Sequence, residues 1–352
     1  MKLNKKIDIN LGYKCNVRCK FCYYNPVLVA GREFFDIGKI KKQLLAARGL
    51  GIEGIDFTGG EPTVSRELIP VVEYARSLGF KTLCLITNGT LLADMDFLRP
   101  IKEAGINDIL FSIHGDGPGS HDELVGMKGA FEKCRKAIEN ARELGIRIRI
   151  NSVITKLNYA VLPGTARVIA GASPEVVSLI NLNPCVCKEI YNRELVPLLS
   201  EAAPLAKDAI DIIKGTSQVN IMYIPLCLMK GYEKYVHNMH QIQYDPEEWD
   251  YLSREIVRRG YVNTLRFAFL RGAFSLSLAD LAPANLPEFF HRSMIKALCA
   301  KNNVMPENCR ACRYYHICDG PWRDYVSLYG SGEFVPVQGD RIYAPDIFMS
   351  EG

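Results

Sequence analysis

No stretch of this chain strings together the roughly 18 apolar residues that a membrane-spanning helix requires, so no membrane partner is expected. The N-terminal run MKLNKKIDINLGYKC starts basic, but it has neither a long apolar segment nor a small-residue cleavage site. It does not read as a signal peptide, and the expected location is cytoplasmic. A polybasic block is also missing. The 43 basic residues against 39 acidic ones leave a net charge of only +4, which sets nucleic acid aside as a main partner. Neither an internal repeat nor a low-complexity linker interrupts the 352 residues, so the C-terminal part is expected to pack on what precedes it. With 48% apolar and 23% charged residues, the composition is that of a globular protein with one large domain, or one domain and an appendage.

Cysteine, by contrast, is abundant. Twelve are present, and a reducing compartment does not preserve disulfides, so metal binding or redox chemistry is the first explanation. Cys15, Cys19 and Cys22 follow C-x3-C-x2-C within KCNVRCKFCYY, and Cys299, Cys309, Cys312 and Cys318 lie near the other end. Cys84 and Cys134 stand alone in a strand-like and a helix-like pattern and read as packing residues. Cys185 and Cys187, in NPCVC, are open to three readings: cluster, substrate contact or simple burial.

From residue 7 to residue 182, strand and helix patterns alternate. Strands read at 7–12, 54–60, 81–89, 108–115, 147–155 and 175–182. Helices read at 35–51, 65–80, 95–106, 129–146 and 158–172, with Ser65 as the N-cap of the second and Pro100 inside the third. Six βα units with short connections imply a parallel sheet with helices outside it: an α/β fold, a partial (β/α)6 barrel of TIM type. A last helix at 195–215 closes the barrel region, residues 1–215. Residues 216–352 read as a small irregular metal-binding extension, with a strand pattern at 219–227. Within it, QYDPEEWDYLSREI (243–256) reads as a turn and helix start whose carboxylates form a solvated face. In such sheets chemistry gathers at the C-terminal strand ends. The distinctive residues fall there: the cysteine loop after strand one, GGEP (59–62) after strand two, TNG (87–89) after strand three, SIHG (112–115) after strand four, and Asn151 on strand five.

Thiolates hold iron–sulfur clusters, and three on one loop leave the fourth iron of a cubane open. Zinc is the competing reading, with His114 as a spatial fourth ligand. C-x3-C-x2-C followed in order by FTGGEPT, TNG and FSIHG resembles the radical S-adenosylmethionine (SAM) superfamily, across residues 7–182. The resemblance implies a partial (β/α)6 barrel and a [4Fe-4S] cluster on Cys15, Cys19 and Cys22. It implies SAM bound to the open iron, and reductive cleavage to methionine and a 5′-deoxyadenosyl radical. It also implies binding residues: Phe21 beside the adenine, Gly59, Gly60, Glu61 and Pro62 at the SAM ammonium, Asn88 and Ser112 lining the pocket, and Asn151 at the ribose hydroxyls. One departure stands out. Many relatives carry an arginine ahead of the first glycine in HD…G…GAF, where it pairs with the SAM carboxylate. Here Val125 precedes Gly126, and Lys128 is the substitute cation. His114 reads equally as a buried, hydrogen-bonded imidazole or as a substrate or SAM contact.

Cys309-x2-Cys312-x5-Cys318, with glycine following, resembles part of the SPASM or twitch extensions of that superfamily; Trp322 stands where a further cysteine would be. The implication is one auxiliary [4Fe-4S] cluster, its fourth ligand Cys299, Cys227 or absent. A zinc site on Cys299, Cys309, Cys312 and Cys318, with His316 as another candidate, is the alternative. The function implied is a radical SAM oxidoreductase or maturase that abstracts a hydrogen atom from a peptide or small-molecule substrate. Its electrons would come from a donor such as flavodoxin or ferredoxin. The chain starts directly at the barrel, so no fused N-terminal peptide-recognition domain is expected, which weighs slightly against a peptide. Two other classes compete. One is a non-catalytic iron–sulfur or zinc scaffold, against which the intact GGEP and pocket set argue. The other is a radical SAM methyltransferase or thiotransferase, for which nothing resembles a cobalamin-binding domain.

Overall fold

The computed structural model describes residues 4–22, 24, 34–182, 184, 193–268 and 286–349; Cys185 and Cys187 lie outside the described residues. Seven parallel strands form one sheet in sequential order: β1 (Lys6–Asn10), β2 (Gly54–Thr58), β3 (Thr82–Thr87), β4 (Asp108–Ser112), β5 (Arg147–Ile154), β6 (Val176–Asn181) and β7 (Gln218–Met222). The six expected strands are present, and the 219–227 pattern adds the seventh. The architecture is the expected partial barrel, extended by one strand.

Helices Ile37–Gly49, Leu68–Ser77, Met95–Ala104, Ala130–Glu143, Leu162–Gly171 and Leu199–Ile213 connect the strands, and Pro100 stays inside the third of these. A further helix, Pro118–Val125, lies between β4 and Ala130; the sequence pattern did not show it. The helix expected from Ser65 starts at Leu68 instead. Ser65 closes a short 3-10 turn over Pro62–Val64, and its hydroxyl accepts the Glu67 N–H at 3.3 Å. No described helix is long and apolar enough to cross a membrane.

Along each strand the side chains alternate between two faces. On the outer face Ile7, Ile55, Leu83, Ile109, Ile148, Val177 and Val219 join one buried apolar core with the helices. Each such side chain contributes about 1.5–3 kcal/mol by leaving water. The positions between them are mostly polar: Asp8, Asp56, Cys84, Asp108, Arg149, Ser178 and Asn220 are all buried. Asp56 on β2 lies 3.5 Å from Arg149 on β5, and two strands stand between them. The sheet is therefore curled, with its polar face inside.

The N-terminal mouth of this half-barrel is closed by charge. Arg149 pairs with Asp108 at 2.8 Å and with Glu247 at 3.6 Å, and its guanidinium also donates to the Cys84 sulfur at 2.9 Å. Arg147 makes two 2.9 Å bonds to the Glu247 carboxylate, and Trp249 Nε1 donates to Asp56 at 2.8 Å. This corrects the solvated face expected for residues 243–256. Asp245 is fully buried, Asp250 is nearly so, and Asp250 caps the helix Tyr251–Arg259. The turn and helix start are as expected, but Glu247 faces Arg147 a hundred residues upstream, Asp245 meets His237, and Asp250 meets His291. Buried carboxylates need such partners.

The same segment spans the open side of the sheet. At the β7 edge, Val236 bridges Ile221 and the His237 N–H donates to the Ile221 carbonyl at 2.9 Å. At the β1 edge, the Asp250 N–H donates to the Lys6 carbonyl at 2.7 Å, and Arg254 pairs with Asp8. Both strand edges are thus covered by the extension, which removes two templates for wrong pairing.

Candidate functional site

The cysteine loop leaves β1 at the C-terminal rim and is held by backbone from two other elements. Gly60 N–H donates to the Gly12 carbonyl at 2.9 Å, and Glu61 N–H to the Lys14 carbonyl at 2.8 Å. The two glycines of GGEP serve this contact. A Cβ on Gly59 would lie 2.3 Å from the Gly12 oxygen, and one on Gly60 would lie 2.3 Å from the Lys14 oxygen. The close approach they permit is to the loop carrying Cys15. On the other side, the N–H groups of Arg18 and Lys20 donate at 2.9 Å to the carbonyls of Val125 and Leu124. Val125, the departure noted in the sequence, therefore buttresses the loop through its backbone, while Lys128 is exposed.

Glu61 is buried and accepts four hydrogen bonds: from Thr63 N–H and hydroxyl, from the Thr87 hydroxyl, and from Asn88 N–H at 2.8 Å. Burial raises its pKa against these donors. Its carboxylate ties the GGEP turn to the end of β3. The Asn88 amide in turn donates to Asn16 Oδ1 at 2.8 Å, and Asn16 donates to the Thr90 hydroxyl at 2.8 Å. Asn16, inside the cysteine motif, escaped the sequence reading. Its only signal was a short polar side chain between two cysteines.

Cys15, Cys19 and Cys22 are partly exposed and form no disulfide among the described residues. Burial pushes Cys15 up to about 11 and Cys19 up to about 12, and neighbouring thiols add to both shifts; burial also raises Cys22. Phe21 packs edge-on to His114, with ring centres 4.7 Å apart. His114 proves to be a buried, hydrogen-bonded imidazole: its Nδ1 accepts the Val153 N–H at 3.0 Å, so the ring proton sits on Nε2. Burial drives its pKa far down and keeps it neutral. Ser112 and Asn151 are adjacent across β4 and β5 and are half-buried. Asn151 Oδ1 is buried with no hydrogen-bond partner among the described residues. A buried acceptor left unmade costs about 1–3 kcal/mol, and a ligand hydroxyl would satisfy it. Pro62, next to Glu61, is buried at the start of its turn.

The second group of cysteines divides. Cys309, Cys312 and Cys318 line one pocket together with Cys227, and Pro225 and Phe334 contribute apolar wall. Cys318 Sγ accepts the Gly320 N–H and Cys312 Sγ accepts the Val337 N–H, both at 3.4 Å. Burial pushes Cys227 up to about 12, with Cys309 and Cys312 adding to the shift. Cys299 does not line that pocket; its thiol groups with Asp319 and His240, although the Cys318 thiol is near enough to act on it. His316 stacks on Tyr343 at 4.5 Å, and Trp322 packs edge-on to Tyr223 at 5.6 Å, both outside the lining.

Comparison with known proteins now bears on these sites. The model of the radical SAM superfamily matches residues 9–166. The GTP 3',8-cyclase of Aquifex aeolicus is 32% identical over 158 residues, 43% of this chain and 48% of that protein. The chain thus spans about half the length of that relative. The AdoMet-dependent heme synthase of Oleidesulfovibrio alaskensis is 22% identical over 314 residues, 87% of this chain and 79% of that protein. Among solved structures, Streptococcus suis SuiB bound to precursor peptide SuiA superposes with a TM-score of 0.56 at 16% identity, covering 96% of this chain and 76% of that one. That last likeness is one of fold.

Proposed function

Through residues 9–166 this chain is a member of the radical SAM superfamily, and from that premise we propose that it is an enzyme cleaving SAM at a [4Fe-4S] cluster held by Cys15, Cys19 and Cys22. When bound, the cluster supplies the electron that turns SAM into methionine and a 5′-deoxyadenosyl radical. The chain's own residues do the positioning. Glu61, Asn88 and Asn16 fix the cysteine loop against the ends of β2 and β3. Phe21, Gly59, Gly60, Pro62, Ser112 and Asn151 surround the place where the nucleoside and amino-acid ends would lie. The unpartnered Asn151 oxygen at the strand ends is the observation that carries this reading. In its favour, the donor set fits: three thiols on one loop, and a rim acceptor awaiting a hydroxyl.

The division we infer is SAM chemistry in residues 1–215 and an auxiliary cluster in residues 216–352. Cys227, Cys309, Cys312 and Cys318 are its ligands in this reading. Four thiolates suit a closed cluster, and the two N–H groups aimed at sulfur tune its potential. The substrate is a peptide or a small molecule. The activities of the two relatives, a GTP cyclase and a haem synthase, favour the small molecule. A flavodoxin or ferredoxin would deliver the electron.

Anaerobic reconstitution of the full chain, followed by SAM and dithionite, tests this. 5′-Deoxyadenosine is expected, and Cys19→Ala should reduce it to the enzyme-free background with the far-ultraviolet circular dichroism unchanged. Roughly eight irons per chain fit two cubanes; roughly four irons and a zinc in the four-cysteine pocket would replace the auxiliary cluster. An intact first cluster that yields no 5′-deoxyadenosine would overturn the catalytic reading in favour of a scaffold.

A further inference from the structure

Cys299 stands apart from the four-cysteine pocket, in a cluster of its own. One ligand atom each from His240, Cys299 and Asp319 lies within 4.8 Å of the other two. All three residues are 8–9% exposed. They come from distant segments: His240 from the helix Met239–Ile242 near the open side of the sheet, Cys299 from the helix Leu286–Asn302, and Asp319 from the position after Cys318. The carboxylate is already steered. Met239 N–H donates to its Oδ2 at 2.7 Å, His240 N–H to its Oδ1 at 3.1 Å, and His240 Nδ1 lies 2.6 Å from Oδ1. Backbone donors of this kind orient a ligating carboxylate. Sulfur, imidazole and carboxylate together are a donor set for zinc-class ions, and three protein ligands leave a fourth position for water.

We propose that His240, Cys299 and Asp319 bind one zinc-class divalent ion, separate from the four-cysteine pocket. On binding, the Cys299 thiol proton passes to solvent and the imidazole proton moves from Nδ1 to Nε2. Sγ, Nδ1 and a carboxylate oxygen then coordinate the ion, and no electron changes hands. The ion staples three segments that share no other covalent tie, and it fixes the residue next to Cys318. Its folding contribution is the binding energy of the preformed triad.

The test is zinc and iron content of the full chain purified anaerobically. About one zinc per chain is expected beyond whatever the four-cysteine pocket holds. His240→Ala and Cys299→Ala should each lower its occupancy about tenfold or more with iron unchanged. Cys312→Ala should spare it. Replacing zinc by cobalt in the unaltered chain should give a sulfur-to-cobalt charge-transfer band in the near ultraviolet, a readout that survives if the variants fail to fold. An unaltered chain that retains neither zinc nor cobalt at this triad overturns the proposal. So does Cys299→Ala shedding iron, which would put that thiol on the cluster. A chain holding this zinc but no iron would sink the radical SAM reading of the cysteine loops and leave the triad standing.

Discussion

Arg149 and Asn151 sit two residues apart on β5, on the same inner face, yet their surroundings are opposite. Arg149 is saturated: Asp56, Asp108, Glu247 and the Cys84 sulfur all meet its guanidinium. Asn151, one step nearer the rim, keeps a buried oxygen that nothing in the described protein satisfies. In the lower half, folding itself pairs Arg149 with the carboxylates around it. The upper half is left for something that folding does not supply. At these two positions structural and functional polarity look alike in composition and differ in whether their hydrogen bonds are complete.

Three measurements sharpen this contrast. Arg149→Ala should have the largest effect, because it removes the cation shared by Asp56 and Asp108 and leaves the first with Lys6 at 3.5 Å and the second with Arg147 at 3.4 Å. A loss of about 3–5 kcal/mol in urea unfolding is expected; a loss under 1 kcal/mol would mean that the lower mouth is not a closed network. Next comes acid. Burial would raise Asp56 and Glu247, but Lys6 and Arg149 at Asp56, and Arg147, Arg149 and Lys6 at Glu247, hold both carboxyls below their usual range. Their stabilisation is therefore present above the unfolded values of 3.8 and 4.5 and is lost as pH falls through the lower folded ones. Glu247→Gln should flatten the acid limb of stability against pH by at most about 1.4 kcal/mol per pH unit. An unchanged slope would remove Glu247 from the pairing. The smallest effect is expected of Asn151→Ala: unfolding essentially unaltered, and SAM affinity down roughly fivefold, about one hydrogen bond. If SAM binds equally well, the orphaned oxygen serves some other group.

What the sequence made legible, and what it hid, follows the same line. The cysteine loop, GGEP, TNG and Asn151 could be placed because their spacing is local and each follows a strand pattern. Strand positions were legible for the same reason, since period-two alternation is written within five or six residues. The plug at residues 243–250 was not. A carboxylate that is buried looks identical in sequence to one that is solvated, and the partners of Glu247 are a hundred residues upstream. The role of Glu61 was half hidden: the turn was visible, but the four donors that occupy its carboxylate come partly from β3. Likewise Cys227 and Cys299 were interchangeable as candidates until the chain path brought one to the pocket and the other to Asp319.

The strap from Val236 to Arg254 joins the first and last strands without belonging to either. A chain cut after residue 215 would bare two hydrogen-bonding rims and leave Arg147 and Arg149 short of an anion. The sheet and the segment that straps it are thus not modules to be traded between relatives like beads. Any graft must carry the strap along, much as a barrel keeps its shape only while the hoop is on.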